Sequence, residues 1–167
     1  MAKKEKTLDD LFKDTLKDIY YAENKILKAL PKMAKAAHST ELKAAFQKHF
    51  KETEGQVARL GKVFQLIDVA PKGKKCEAIE GILAEGAEIM KEFKGTPALD
   101  AGLVSAAQAV EHYEMARYGT LKRWALQMGL NEAVRLLDQT LTQEKDADKA
   151  LTELADSAIN EHAKAAE

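Results

Sequence analysis

The sequence has little of what marks secreted, nucleic-acid-binding or disulfide-stabilised domains. Its 167 residues include one cysteine, three prolines and only 6% aromatic residues. The single cysteine, Cys76, excludes an internal disulfide. Lys and Arg total 26 against 27 Asp and Glu, a formal net charge of −1, and the basic residues are scattered along the chain. We therefore predict no nucleic-acid partner.

Long apolar runs are also missing. No run reaches the roughly 20 residues that a transmembrane helix needs, and the N-terminal residues lack the apolar core of a signal peptide. These absences predict a soluble, cytoplasmic protein that does not bind membranes.

What the sequence does contain is typical of long amphipathic helices. It is 46% hydrophobic and 32% charged, and Ala, Leu, Lys and Glu dominate. The length suits one domain over residues 1–167. Apolar residues recur with helical spacing, and no stretch alternates long enough to predict a strand.

The spacing predicts four long helices and a short one. The first begins at Thr7 in a pattern that resembles a capping box, and Pro31 either kinks or ends it. Ser39 or Thr40 caps the second, and residues 68–75 form the clearest loop.

A short helix follows over roughly residues 77–93. Gly95-Thr96-Pro97 then predicts a stop, an N-cap and the first position of the third long helix, which ends near Met128, and Asn131 caps the last one. The predicted fold is all-α, a four-helix bundle with a short extra helix in the crossover between the second and third long helices.

The most informative segment is Glu111-His112-Tyr113-Glu114. Its two carboxylates are three residues apart, so they share one helix face. That face is otherwise apolar and should be buried, because it carries Leu103, Ala107, Val110, Tyr118 and Leu121. Burying two ionised carboxylates costs several kcal/mol each unless a positive charge lies between them.

The other long helices carry similar side chains near their middles. On the second helix these lie along one edge of an apolar stripe that runs through Phe50 and Val57, and Glu54 on the opposite edge is the weaker candidate. The candidate ligands on the three helices are Glu23; then His49, Glu52 and Gln56; then Glu144 and Asp148.

This repetition predicts a metal site inside the bundle. Carboxylates with at most one imidazole suit iron or manganese better than zinc or copper, and two divalent ions would neutralise most of the buried charge. Each acid taken alone is more often a solvated or Lys-paired residue at the edge of a stripe. A purely structural polar core is the alternative for the set.

These residues resemble those of the ferritin-like superfamily, particularly rubrerythrin-type di-iron domains. The whole chain is similar to the YciF-like family of bacterial stress-induced proteins, through four stretches: Ala22-Glu23, His49-x-x-Glu52-Thr53-x-x-Gln56-x-x-x-Leu60, Glu111-His112-Tyr113-Glu114 and Ala147-Asp148-x-x-Leu151-Thr152. The resemblance implies a ferritin-like bundle, usually a homodimer, with a dinuclear metal centre.

The sequence departs from the ferritin pattern in two helices. The second lacks Glu-x-x-His, since His49 precedes Glu52 by three residues instead, and the fourth has Asp148 where rubrerythrins carry His. Glu85 in the crossover helix and Tyr118 are further candidates, as an additional ligand and as a hydrogen-bond partner of a ligand, although solvent exposure and packing explain them equally well.

A dinuclear iron or manganese centre predicts peroxide or dioxygen chemistry, catalase-like with manganese and ferroxidase-like or peroxidase-like with iron. The chain has no rubredoxin-type cysteine module to deliver electrons, which favours a catalase or ferroxidase cycle over a reductant-driven peroxidase. Two alternatives remain open: an iron-storage cage, and a non-catalytic, stress-induced helical interaction protein with a vestigial site.

Overall fold

The computed structural model describes residues 5–165 and is all-helical over that range. Its elements are α1 (Leu8–Ala36), α2 (Thr40–Leu66), α3 (Glu77–Glu92), α4 (Leu99–Gln127), α5 (Asn131–Leu154), a π-helical turn (Ala155–Ile159) and α6 (Asn160–Lys164). Four long helices with a shorter one in the crossover confirm the predicted fold class. Within this range, no helix combines the length and the apolarity needed to cross a membrane.

The long helices form a closed ring. α1 packs against α2, α2 against α5, α5 against α4, and α4 against α1. Short turns join α1 to α2 and α4 to α5, so each of these pairs is an antiparallel hairpin. The crossover helix α3 packs on the outside of α4 and α1. The apolar core therefore lies between the two hairpins, with a second, smaller layer beneath α3.

The first hairpin begins as the sequence predicts. Thr7 caps α1 in a complete capping box with Asp10. Pro31 lies inside α1 without ending it, and Ser39 rather than Thr40 is the N-cap of α2. The buried Asp100 carboxylate, from the start of α4, accepts hydrogen bonds from the amides of His38 and Ser39 at 2.8 and 2.7 Å.

Two predicted helix starts are wrong, one by two residues and one by a single residue. α4 begins at Leu99 rather than Pro97, because the Thr96 hydroxyl donates to the Phe93 carbonyl (2.8 Å) at the end of α3 instead of capping α4. Asn131 is the first residue of α5 and not its cap. Helix ends are the least specific part of an amphipathic pattern, since fraying and single turns compete there.

The buried face of α2 is also rotated relative to the prediction. His49, Thr53 and Gln56 are buried, whereas Phe50 and Val57 are only partly buried. The rotation turns the polar edge of the helix toward the bundle axis. This places two candidate ligands in the core at the expense of two apolar side chains.

Candidate metal centre

Polar side chains meet near the middle of the bundle, in a core that is otherwise apolar. Each long helix contributes at least one, and all are at most 5% exposed. They are Glu23 from α1, His49 and Gln56 from α2, Glu111 and Glu114 from α4, and Glu144 from α5.

Four of these residues converge on one point. His49, Glu111, Glu114 and Glu144 each offer a ligand atom, and these atoms all lie within 4.8 Å of one another. His49 Nε2 is 3.2 Å from Glu111 Oε1 and 3.7 Å from Glu144 Oε2. Ligands of a single ion lie at most about twice the metal–ligand distance of ~2.1 Å apart. The four donors, within 4.8 Å of one another, are spread slightly more widely than this and would draw together around one bound cation.

Most polar atoms of this cluster are buried without a hydrogen-bond partner. Within the described range they are one carboxylate oxygen each of Glu23, Glu111 and Glu144, both oxygens of Glu114, both ring nitrogens of His49 and Oε1 of Gln56. Leaving such an atom unsatisfied costs about 1–3 kcal/mol, and native proteins seldom do so repeatedly in one place. A hard divalent cation fits this donor set, because it would take up the unpaired oxygens and an imidazole nitrogen together.

Hydrogen bonds from neighbouring residues hold two of the three remaining carboxylate oxygens. The Tyr118 hydroxyl donates to Glu23 Oε1, and the Gln56 amide donates to Glu144 Oε1. Tyr118 thus holds a candidate ligand, which is one of the two interpretations that the sequence left open. Gln56 uses its nitrogen on Glu144, and its own Oε1 is left buried without a hydrogen-bond partner.

A second set of polar contacts, which the sequence analysis missed, supports Gln56 from outside. Arg59 donates through Nε to Thr140 (2.9 Å) and through Nη2 to Gln143, and Gln143 Oε1 also accepts from Gln56 Nε2 at 3.4 Å. Thr140 lies one turn before Glu144, on the same face of α5. That spacing was the available signal, but a threonine among leucines is too common to single out.

Burial dominates the electrostatics of the cluster. It raises the pKa of Glu23 to about 8, with the nearby Glu144 carboxylate adding to the effect. Burial followed by repulsion from neighbouring carboxylates also raises the pKa of Glu111 and of Glu114 well above the ordinary value. Without a cation, burial and mutual repulsion favour the protonated form of these three groups, and a bound cation would replace those protons.

Three predicted ligands lie outside the buried cluster. Glu85 is exposed on α3. Asp148 is partly exposed, accepts from Gln108 Nε2 at 3.1 Å and lies 3.2 Å from His112 Nε2. Glu52 lies at the edge, with a side chain that is 22% exposed and 3.5 Å from His49 Nδ1. The fold does not bring Glu85 or Asp148 into the cluster, and a ligand role for any of the three stays a prediction.

Fold and site together define a class of protein: a four-helix bundle with a crossover helix, whose centre holds a His and Glu cluster able to bind a metal. The chain belongs to the family described as a domain of unknown function (DUF892), whose sequence model matches residues 7–164. Protein YciF of Escherichia coli (strain K12) is 41% identical over 159 residues, which cover 95% of this chain and 96% of YciF.

Solved structures support the same relationship. The crystal structure of the E. coli stress protein YciF superposes with a TM-score of 0.89 at 41% identity, covering 93% of this chain and 99% of YciF. YcfI of Rhodopseudomonas palustris, described as a candidate structural protein, gives 0.87 at 43% identity, covering 91% and 97%. A protein of Xanthomonas campestris gives 0.73 at 23% identity over 94% and 95%, which shows the shared fold alone. The predicted resemblance to the YciF-like family is confirmed.

Proposed function

We propose that this protein binds a pair of iron or manganese ions at the central cluster and handles peroxide or dioxygen in stress defence. The observation that carries the proposal is the convergence of four buried donors with unpaired oxygens and an unpaired imidazole. The stress context comes from the E. coli relative, which is described as a stress protein. The homodimer that the sequence resemblance implies is part of the same proposal.

The residues divide into two overlapping ligand sets. His49, Glu111, Glu114 and Glu144 would hold one ion. Glu23 would supply the other, because its electrostatic neighbours are Glu144 and Glu114, two carboxylates that can be shared between the ions. Four glutamates carry four negative charges when ionised, and two divalent cations would neutralise them.

Bound iron or manganese supplies reversible electron exchange with an O–O bond. The chain supplies positioning and exclusion of water. Tyr118 holds Glu23 and Gln56 holds Glu144, each through a hydrogen bond. The fully buried apolar side chains Ile19 and Leu103, one turn and two turns away from Glu23 and Glu111 along their helices, help to keep the surroundings dry.

Elemental analysis of protein produced without added metal tests this proposal directly. About two iron or manganese ions per chain would support the dinuclear centre, and the element found would choose between the iron and manganese chemistries. Less than about 0.1 ion per chain after anaerobic reconstitution with both ions would contradict it, since the reconstituted site should fill when ligand far exceeds its Kd.

Glu144→Gln is the most direct variant, because Gln keeps the shape of the side chain and an oxygen to accept from Gln56 while removing the charge. We expect the metal content per chain to fall by about half or more, since Glu144 belongs to both ligand sets. The metal-free form should be no less stable than the wild type, because the change removes a negative charge from the buried cluster. Elemental analysis and urea unfolding measure the two effects.

Glu153→Gln is the matched control. Glu153 lies on the same helix, nine residues further on, with a side chain that is 68% exposed and paired only loosely with Lys149 at 3.9 Å. Its replacement should leave metal content and stability unchanged. If Glu144→Gln kept its full metal content while losing stability, Glu144 would not be a ligand.

A non-catalytic role is the second candidate, favoured by the relative described as a candidate structural protein. In that case protonated carboxyls and the bonds from Tyr118 and Gln56 would satisfy the core without a metal. Peroxide consumption by the reconstituted wild type, compared with Glu144→Gln, separates the two: equal background rates favour the structural role.

A further inference from the structure

A narrow gap connects the buried cluster to the surface between α2 and α5. It is a small cavity of about 40 Å³ lined by Ala45, Phe46, Lys48, His49 and Glu52 of α2, Glu111 of α4, and Ala147, Ala150 and Leu151 of α5. That volume exceeds the roughly 10–15 Å³ that one water molecule requires. The gap is therefore large enough to hold a water molecule or a partly dehydrated metal ion.

The inner end of the gap is polar and unsatisfied. His49 is 5% exposed and Glu111 is 2% exposed, and both line the cavity. Both ring nitrogens of His49 and Oε2 of Glu111 lack a hydrogen-bond partner. A species entering from this side would meet two members of the convergent group before the others.

The middle of the gap stays open because its walls are formed mainly by small side chains. Ala45 faces α5 from one side, and Ala147 and Ala150 face α2 from the other, all three half-buried. Phe46 and Leu151 close the remaining walls and are almost fully buried. A longer aliphatic side chain at an alanine position would fill the passage.

The outer end carries one carboxylate between solvent and the cluster. Glu52 Oε2 lies 3.5 Å from His49 Nδ1, and Glu52 Oε1 lies 3.5 Å from Nζ of Lys48, whose side chain is 71% exposed. Glu52 can therefore bind a cation at the surface while remaining next to a buried ligand. Lys48 competes with such a cation for the same carboxylate.

From this geometry we infer that the gap between α2 and α5 is the entrance for divalent cations, and that Glu52 transfers the ion from solvent to His49 and Glu111. The inference rests on the proposed metal function and assigns it a route. It gives Glu52 a role in the rate of uptake rather than in the final ligand set. Lys48 sets the charge at the mouth.

Stopped-flow uptake of Co²⁺ by the metal-free full chain, followed by absorbance, measures the rate, and elemental analysis measures the final content. Ala150→Leu should slow uptake by about tenfold or more, since close-packed surroundings yield little, while the final content stays that of the wild type. Ala101→Leu is the control, because Ala101 is half-buried on α4 and does not line the gap.

Surface charge provides a test that does not depend on repacking. Lys48→Glu should speed uptake by about tenfold at low ionic strength, with the gain shrinking as salt is added. Lys51→Glu makes the same charge change on the exposed face of the same helix, away from the gap, and should give a much smaller gain. Glu52→Gln should slow uptake without lowering the final content.

The outcomes separate this inference from the proposed function. The entrance would be contradicted if Ala150→Leu took up Co²⁺ at the wild-type rate and to the wild-type content, and if Lys48→Glu and Lys51→Glu gained equally in rate. Those results would leave the proposed metal site in place. Lower final content in Glu52→Gln would make Glu52 a ligand and overturn its transfer role. A wild type that takes up no metal would overturn the proposed function and this inference with it.

Discussion

Three glutamates give the metal-free protein an unusual dependence on pH. An unfolded glutamate titrates near its ordinary value of 4.5, whereas burial raises the pKa of folded Glu23 to about 8 and that of Glu111 and Glu114 in the same direction. At pH values between about 4.5 and 8, the folded state binds more protons than the unfolded state. The stability that these three groups contribute is therefore fully present below about pH 4.5, and it falls as pH rises toward 8.

We expect the metal-free protein to unfold at a lower temperature at pH 8 than at pH 5.5. Each unit of raised pKa corresponds to about 1.4 kcal/mol, so the loss should be readily measurable by calorimetry in the presence of a chelator. Glu114→Gln should flatten the dependence, because Gln cannot ionise. Glu132→Gln is the control, since the pKa of Glu132 is lowered by Arg135 and its titration falls below this window. If the melting temperature of Glu114→Gln depended on pH as steeply as that of the wild type, the raised pKa of Glu114 would not be a cause of the pH dependence.

At the scale of the helix, the contact between α3 and α4 depends on small residues. A Cβ added at Gly102 would lie 2.6 Å from Ile89 Cγ2, closer than atoms in contact normally approach. Gly86 of α3 faces Ala106 of α4, where an added Cβ would lie at 3.5 Å. The two helices approach closely because these positions lack larger side chains.

Gly102→Ala should therefore destabilise the protein by about 1 kcal/mol, because overpacking outweighs the gain in helix propensity. Gly61→Ala makes the same change inside α2, where an added Cβ meets nothing within 4 Å. That variant should gain about 0.5–1 kcal/mol, since alanine favours the helix. Urea unfolding of the two variants gives the comparison, and equal gains would show that α3 moves freely on α4.

α2 shows how far a helical pattern determines a site. The apolar stripe correctly predicts that α2 packs into the bundle, but it centres the buried face on Phe50 and Val57 instead of His49 and Gln56. The apolar spacing predicts that a large aromatic side chain is buried. Phe50 instead lines a surface groove with Lys35, Lys43 and Lys51. The rotation of a helix about its axis is decided by the side chains that it packs against, and these lie on other helices.

At the scale of the whole molecule, metal binding should be linked to both stability and pH. The candidate ligands come from all four long helices, and the unfolded chain has no such arrangement, so binding stabilises the folded state. A bound cation would also displace the protons that burial favours on Glu23, Glu111 and Glu114. Metal binding therefore competes with protonation.

Added Mn²⁺ should raise the melting temperature more at pH 8 than at pH 6, opposite in sign to the pH dependence of the metal-free form. Differential scanning calorimetry with Mn²⁺ or chelator at both pH values measures this. Mg²⁺ at the same concentration controls for ionic strength, since it dehydrates reluctantly and prefers water-rich sites. A gain that is equal at both pH values would place the ion away from these three carboxyls.

The sequence by itself determines the helices, the bundle and most members of the buried polar cluster. Helical spacing depends on neighbours within a turn or two, so Glu23, Glu111, Glu114 and Glu144 can be assigned to buried faces before any partner is known. The cap at Thr7 and the crossover helix follow from equally local signals.

Only the tertiary structure decides which of these residues meet. Asp148 shares a helix with Glu144 one turn away, yet it turns toward Gln108 and His112, while His49 enters the core from the edge of its predicted stripe. Arg59 and Gln143, which are 84 residues apart in the chain, are joined by a hydrogen bond beside the candidate site. The physical reason is that helix rotation and relative height are set by packing between helices, which depends on all the partners at once and leaves no signature within a single helix.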